Sequence, residues 1–268
     1  MSTLASKYGP WAVVTGASSG IGREFARTLG EEGFNLVVAA RRLDRLETLA
    51  EEIGDKNGVE VRPFEVDLST ASGVDRLEAA TDGLDVGLVI SNAGSSPPGS
   101  FLNTNADAHR AFVELNTTTP MLIGHSFGHR MVERGRGGIV FVSSTAAFTG
   151  TPYLANYAAT KAYQLTLGEG LHAEYGEKGV DVLVLVPGPT RTEMTDVDGV
   201  DFSVLPMSWM DPEDVAAAAL GALGRKPVLV PGRINRVMRF ATTHLMSRRA
   251  SVSMWGSMMR KATDDALV

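Results

Sequence analysis

The chain has 268 residues, of which 44% are hydrophobic and 21% charged, enough for a full core and against a disordered chain. A net charge of −6 argues against general nucleic-acid binding. The absence of cysteine excludes disulfides, thiolate metal sites and a cysteine nucleophile. Of five scattered histidines, His125 and His129 are four apart, but no carboxylate pattern supports them, so no metal is expected. The first ten residues lack the apolar core of a signal peptide, and no run approaches 18 apolar residues. A cytoplasmic protein is expected.

Strand and helix patterns then alternate. Strands are expected at 11–15, 34–40, 59–66, 86–90, 139–142, 180–186 and 228–230. Helices are expected near 20–32, at 43–53, 72–80, 158–173 and 212–224, with one long or two abutting helices over 106–132. Most strands are continuous apolar runs, the signature of a parallel sheet buried on both faces. The expected fold is α/β, a doubly wound (Rossmann) parallel sheet of about seven strands with ligands at the carboxyl edge where strand order reverses. There is no repeat or linker. Residues 1–232 read as the dinucleotide-binding and catalytic domain, and 233–268 as a basic amphipathic extension of it.

Thr15-Gly16-Ala17-Ser18-Ser19-Gly20-Ile21-Gly22 lies between the first strand and first helix. Gly16 allows a tight turn, Gly20 lets a pyrophosphate approach the backbone, and Gly22 allows close helix–strand packing. The loop, with Ser18, Ser19 and Ile21, is expected to hold a dinucleotide at a helix N-terminus. An NAD site usually carries an acid at the end of the second strand; this chain has Arg41 and Arg42, which suit a 2′-phosphate and favour NADP over NAD. Farther on, Tyr157 and Lys161 are four apart and share a helix face. A nearby ammonium is expected to lower the phenol pKa from about 10 toward the working pH of a general acid/base. Ser144, at the end of a strand, could lie beside that phenol and hold a carbonyl oxygen.

Together these pieces resemble the single-domain short-chain dehydrogenase/reductase family over nearly the whole chain. Thr15, Gly16, Gly20 and Gly22 match its glycine pattern, and Ser144, Tyr157 and Lys161 its catalytic set, with thirteen residues from Ser to Tyr. The resemblance implies Asn116 as a fourth catalytic residue, anchoring a water that refills the proton through Lys161. It adds Asn92-Ala93-Gly94, Asp67 with Leu68, Pro187-Gly188, Thr190 and Thr192, besides Tyr157 and Lys161 themselves, to the cofactor-binding set. Ser91 departs from the family, which often has a second Asn there. Lys7-Tyr8-Gly9-Pro10-Trp11 and Met131-Val132-Glu133-Arg134 are more loosely similar to the 3-ketoacyl-CoA reductase and 17β-hydroxysteroid dehydrogenase branch.

The expected activity is NADP-dependent interconversion of a lipophilic ketone and a secondary alcohol, such as a ketoacyl chain or steroid-like molecule. A catalytically silent nucleotide-binding regulator is the alternative, against which the intact Ser144, Tyr157 and Lys161 speak. Ala146, Phe148, Pro152, Tyr153 and Leu154 are expected near the ketone, and Met194, Val197, Phe202, Leu205, Met207, Trp209 and Met210 in a lid. Residues 215–263 hold nine basic and no acidic residues. Within them Arg233 to Lys261 alternates arginines with apolar residues, a basic amphipathic helix that can rest weakly on anionic lipid, cover the pocket or pack between subunits. The resemblance implies a homodimer or homotetramer packed through the Tyr157 helix.

Overall fold

In the computed structural model, which describes residues 4–95, 99–196, 199–204 and 208–263, seven parallel strands form one sheet. They are β1 Trp11–Thr15, β2 Asn35–Ala40, β3 Val61–Glu65, β4 Val86–Ser91, β5 Gly137–Val142, β6 Val180–Leu185 and β7 Val228–Leu229, in the order β3-β2-β1-β4-β5-β6-β7. The order reverses between β1 and β4, so a crevice opens beyond Thr15 and Ser91. Side chains alternate across the sheet. Val14, Ile90, Val140 and Leu183 pack into a core on one face, while Val13, Val89, Ile139 and Val182 pack into a core on the other. Two buried faces are why these strands read as unbroken apolar runs. The edge strand β3 is the exception, with Arg62 and Glu65 exposed and Pro63 lacking a donor.

On the first face lie α2 Gly20–Glu31, α3 Leu43–Asn57 and α8 Pro212–Ala222. The second face is covered by α4 Gly73–Ala80, α6 Thr119–Arg134 and α7 Ala155–Gly176. The helix expected over 106–132 is one continuous path with a flaw in it: α5 Ala106–Val113, a π-helical turn Glu114–Thr118, then α6. Pro120 explains the flaw. It has no N–H to offer the Asn116 carbonyl four residues back, and its ring crowds that carbonyl.

Two features differ from expectation. The chain start forms a short helix, α1 Leu4–Tyr8, that has no local signal. It is held by tertiary contacts: the Tyr8 hydroxyl lies 2.8 Å and Lys7 Nζ 2.6 Å from the same Asp181 oxygen, and Arg136 Nη1 donates to the Tyr8 carbonyl at 2.7 Å. The tail is two helices rather than one. α9 Arg233–Phe240 runs into a π-helical turn, Ala241–Leu245, and stops; α10 Arg248–Ala262 restarts from Ser247, whose side chain accepts from the Ala250 N–H at 3.2 Å.

The α1 contact yields a stability prediction. A Cβ on Gly87 of β4 would sit 1.9 Å from the Tyr8 carbonyl oxygen. Gly87→Ala is expected to lower the unfolding free energy by about 1–3 kcal/mol, the usual cost of overpacking. Urea unfolding of both proteins measures this, and an unchanged midpoint contradicts the packing of α1 on β4.

Candidate active site

The cleft at the switch in strand order has a volume of about 330 Å³. Its walls bring together Gly16, Ser18, Ser19, Gly20, Ile21, Arg41, Arg42, Asp67, Leu68, Asn92, Ala93, Gly94, Ser144, Tyr157, Lys161, Pro187, Gly188, Thr190 and Thr192. Of the residues expected to act in catalysis or hold the cofactor, Gly22 and Asn116 are not on its surface. Gly22 sits behind the loop, where a Cβ would lie 2.4 Å from the Gly16 carbonyl oxygen, which is the close packing its sequence position implies.

At one end the backbone is arranged for an anion. Gly16 turns with φ of +67°, a conformation that favours glycine. Asn92 works as a strut for this turn: its Nδ2 donates to the Thr15 and Gly16 carbonyls at 2.9 and 3.3 Å. Thr15 Oγ1 receives the Asn92 and Ala93 N–H groups, both at 3.0 Å. A Cβ on Gly20 would meet the Thr192 methyl at 2.9 Å, so the glycine loop and the loop after β6 close on one another only with glycine there. Arg42 reaches back over the loop; its Nη2 donates to Ser18 Oγ and Ser19 Oγ, each at 2.9 Å. Arg41 is exposed on the cleft wall. Asp67 turns Oδ1 onto the Ser69 N–H and hydroxyl at 2.9 and 2.7 Å; that hydroxyl bond, the backbone bond and the charge of Arg41 hold its carboxyl low against its burial. These features fit an adenine dinucleotide: a glycine cradle that side chains would fill, donors at a helix start, and a serine–guanidinium corner beside the β2 end.

At the other end Ser144 follows β5 and Tyr157 and Lys161 rise from the first turns of α7. Lys161 is 3% exposed. Its Nζ donates to the Val142 carbonyl at 2.8 Å and to Gln164 Oε1 at 3.3 Å, and it lies 5.7 Å from the centre of the Tyr157 ring. Burial lowers the amine from its ordinary 10.5 to about 7. Burial also raises the Tyr157 phenol, with a hydrogen bond from Ser144 opposing it. The expected lowering of the phenol by Lys161 is not what this site shows: burial raises Tyr157, and what opposes it is the Ser144 hydrogen bond rather than the amine.

Asn116 is fully buried in the π-helical turn. Its Nδ2 donates to the Ser95 carbonyl at 3.1 Å, and its buried Oδ1 has no hydrogen-bond partner among the described residues. The carbonyl that Pro120 leaves free accepts from Gln164 Nε2 at 2.7 Å. Gln164 thus bonds this main-chain acceptor, and it is the residue sequence reasoning missed. Its signal was there: three positions after Lys161, a polar side chain on the same buried face.

The apolar wall near Tyr157 comes from several segments. Ala146, Leu154, Met194 and Phe202 line it as expected, joined by Trp255 and Met259 from α10. Phe148 lines a small adjoining pocket with Trp255 and Arg239. Tyr153 packs instead against the Val200–Met259 cluster, and Met210 against the core beneath the sheet. Val197, Leu205 and Met207 lie outside the described residues.

A parallel sheet with a glycine turn at its switch point, and with serine, tyrosine and lysine converging across the crevice, defines a class. Residues 10–200 match the family model for short chain dehydrogenase, and the chain belongs to the short-chain dehydrogenase family of NAD(P)-dependent oxidoreductases. It is 31% identical over 252 residues to a 7β-hydroxysteroid dehydrogenase of Clostridium sardiniense, covering 94% of this chain and 96% of that protein. It is 34% identical over 223 residues to a very-long-chain 3-oxoacyl-CoA reductase of Neurospora crassa, covering 81% of this chain and 66% of that protein. A solved short-chain dehydrogenase from Sphingobium yanoikuyae, in complex with NADPH, matches with a TM-score of 0.79 at 33% identity, covering 84% of this chain and 88% of that one.

The buried amine predicts a pH dependence. Between about pH 7 and 10.5 the unfolded chain keeps a proton on Lys161 that the folded chain has released. More protons on the unfolded state mean that stability rises with pH, here by up to about 1.4 kcal/mol per unit. Urea unfolding at pH 7.5 and 9.0 is expected to show this rise in the wild type relative to Lys161→Met; parallel slopes contradict the lowered pKa.

Proposed function

We propose that the chain is an NADP-dependent oxidoreductase that interconverts a lipophilic ketone and a secondary alcohol. The observation that carries this is the convergence of Ser144, Tyr157 and Lys161 at one end of a cleft whose other end presents Ser18, Ser19 and Arg42. The glycine loop, Asp67, Leu68, Asn92 to Gly94 and the 187–192 loop hold the dinucleotide, and Arg41 and Arg42 hold its 2′-phosphate. Bound there, the nicotinamide supplies or accepts the hydride.

The protein's own groups do the rest. Ser144 and Tyr157 hold the substrate oxygen, and Tyr157 gives it a proton as negative charge develops. A phenol raised by burial keeps that proton until such charge appears. Lys161, with a pKa of about 7, takes up and releases a proton close to neutrality and, when charged, favours the phenolate. Gln164 and the Val142 carbonyl fix the amine's direction. Gln164 already bonds the Asn116 carbonyl, and Oδ1, unbonded among the described residues, is the Asn116 acceptor this reading gives to a proton path. Trp255, Met259, Met194 and Phe202 favour a greasy substrate, in line with relatives whose names specify a hydroxysteroid and a 3-oxoacyl-CoA.

The tail supports a second contact. Ile234, Val237, Phe240 and Leu245 are 55–72% exposed beside Arg233, Arg236 and Arg239, none ion-paired among the described residues. We propose that this face rests weakly on anionic lipid, and that subunits assemble as a dimer or tetramer through α7. No helix among the described residues is long and apolar enough to cross a membrane.

Tyr157→Phe is expected to lower turnover about 10²–10⁴-fold, the usual worth of a general acid, and to leave NADPH binding within about twofold. A panel of lipophilic ketones and alcohols, followed at the nicotinamide absorbance, tests both; undiminished turnover in the variant removes Tyr157 from the mechanism, and no turnover of any substrate by the wild type favours the silent regulator. In flotation assays a fraction of the protein is expected to rise with phosphatidylglycerol vesicles at low salt and to be released at high salt. Absence of a floating fraction at any salt ends the lipid reading and leaves the face to a neighbouring subunit.

A further inference from the structure

We propose that Glu193 is a built-in competitor of the cofactor's 2′-phosphate, an internal carboxylate that occupies the guanidinium corner and latches the loop after β6 across the cleft. The proposal rests on the reading of Arg42 as the 2′-phosphate ligand. Four of the five N–H donors of Arg42 are engaged in this structure: Nε and Nη2 bond Ser18 Oγ at 3.2 and 2.9 Å, Nη2 bonds Ser19 Oγ at 2.9 Å, and Nη1 bonds Glu193 Oε2 at 2.8 Å. The other carboxylate oxygen of Glu193 accepts from Arg45 of α3. Both guanidiniums hold the Glu193 carboxyl down to about 2, so it is an anion at every working pH.

This places one anion where a second must go. A 2′-phosphate beside the end of β2 needs the planar donor edge of an arginine and a hydroxyl of the glycine loop. Those are the groups that Arg42 and Ser18 present, and Glu193 already holds the edge. Two anions on one guanidinium repel, so the phosphate displaces the carboxylate. Glu193 is part of the short turn Glu193–Thr195, and its neighbours Met194 and Thr195 line the cleft. Displacement at the adenosine end therefore frees a segment at the substrate end. A dinucleotide with a bare 2′-hydroxyl does not displace Glu193 and leaves the latch shut. The carboxylate so makes a doubly charged phosphate the ligand that opens this loop.

The test uses fragments without a nicotinamide, so it does not depend on turnover. Adenosine 2′,5′-bisphosphate and 5′-AMP are titrated calorimetrically into wild type and Glu193→Gln. The side chain is half-exposed and the substitution nearly isosteric, so folding is not at stake, and a thermal melt checks this. The expected result is about three- to fivefold tighter binding of the bisphosphate by Glu193→Gln, the scale of exposed ion pairs, with 5′-AMP unchanged. Unchanged or weaker bisphosphate binding, or equal tightening of both ligands, overturns the competition while leaving the Arg42 reading intact. That reading has its own control. If wild type does not bind the bisphosphate more tightly than 5′-AMP, and Arg42→Ala changes neither, the corner is no phosphate site and the latch falls with it.

Discussion

The site depends on an amine buried without an acid. Lys161 sits beneath the end of β5 with a backbone carbonyl and an amide oxygen for partners, and no carboxylate bonds it among the described residues. A carboxylate would have kept the ammonium charged at all working pH values. Neutral acceptors do not, so desolvation brings the amine to about 7. A group that gains and loses its proton near neutrality is useful beside a phenol, but burying it is costly and requires a stiff setting. The setting is provided in part by Ser143, whose hydroxyl donates to the Lys161 carbonyl at 2.7 Å and ties α7 to the end of β5.

The rest of the setting traces to one residue in another helix. Pro120 cannot donate to the Asn116 carbonyl, and the helix widens into a π-turn around it. An orphaned carbonyl in a fully buried turn must be paired. Gln164 pairs it with its amide nitrogen and so points its amide oxygen at Lys161. A defect between α5 and α6 thus fixes the orientation of an amine on α7. The same turn leaves Asn116 Oδ1 without a partner among the described residues, close to where Gly94 carries no side chain: a Cβ there would be 2.8 Å from that oxygen and 3.5 Å from Lys161 Nζ. Gly94 keeps the polar pocket behind the amine open.

Much of this was legible in the sequence because it is local or periodic. Strands buried on both faces announce themselves as runs such as Val86 to Ser91, and the turn at Gly16 is written in its glycines. The edge strand is shorter than its pattern, since 59–66 is apolar at its ends but the regular strand is Val61–Glu65, with single bonds to β2 at Glu60 and Val66 beyond it. What stayed hidden is held by partners far apart in the chain. Nothing in Leu4–Tyr8 signals a helix; its anchor, Asp181, is 173 residues from Tyr8. Glu193 gave no sign of lying on Arg42, 151 residues away. Gln164 and Pro120 were visible singly, but only folding shows that they serve the same carbonyl.

The tail shows why amphipathic spacing alone was ambiguous. Read as one helix, its apolar residues would share a face, and that face could only cover the pocket or meet an outside surface. The break before Ser247 lets it do both. α10 turns Trp255 and Met259 into the cleft, while α9 leaves Ile234, Val237 and Phe240 outward. Met259 is 2% exposed and packs with Val200 and Ala262, so α10 is a wall of the site rather than an appendage. Arg239 lies 4.8 Å over the Phe148 ring, coupling the outward helix to the segment that follows Ser144. Any surface or subunit that engages α9 therefore bears on a residue four positions from Ser144, and the wall that closes the cleft is tied to the helix that meets the outside.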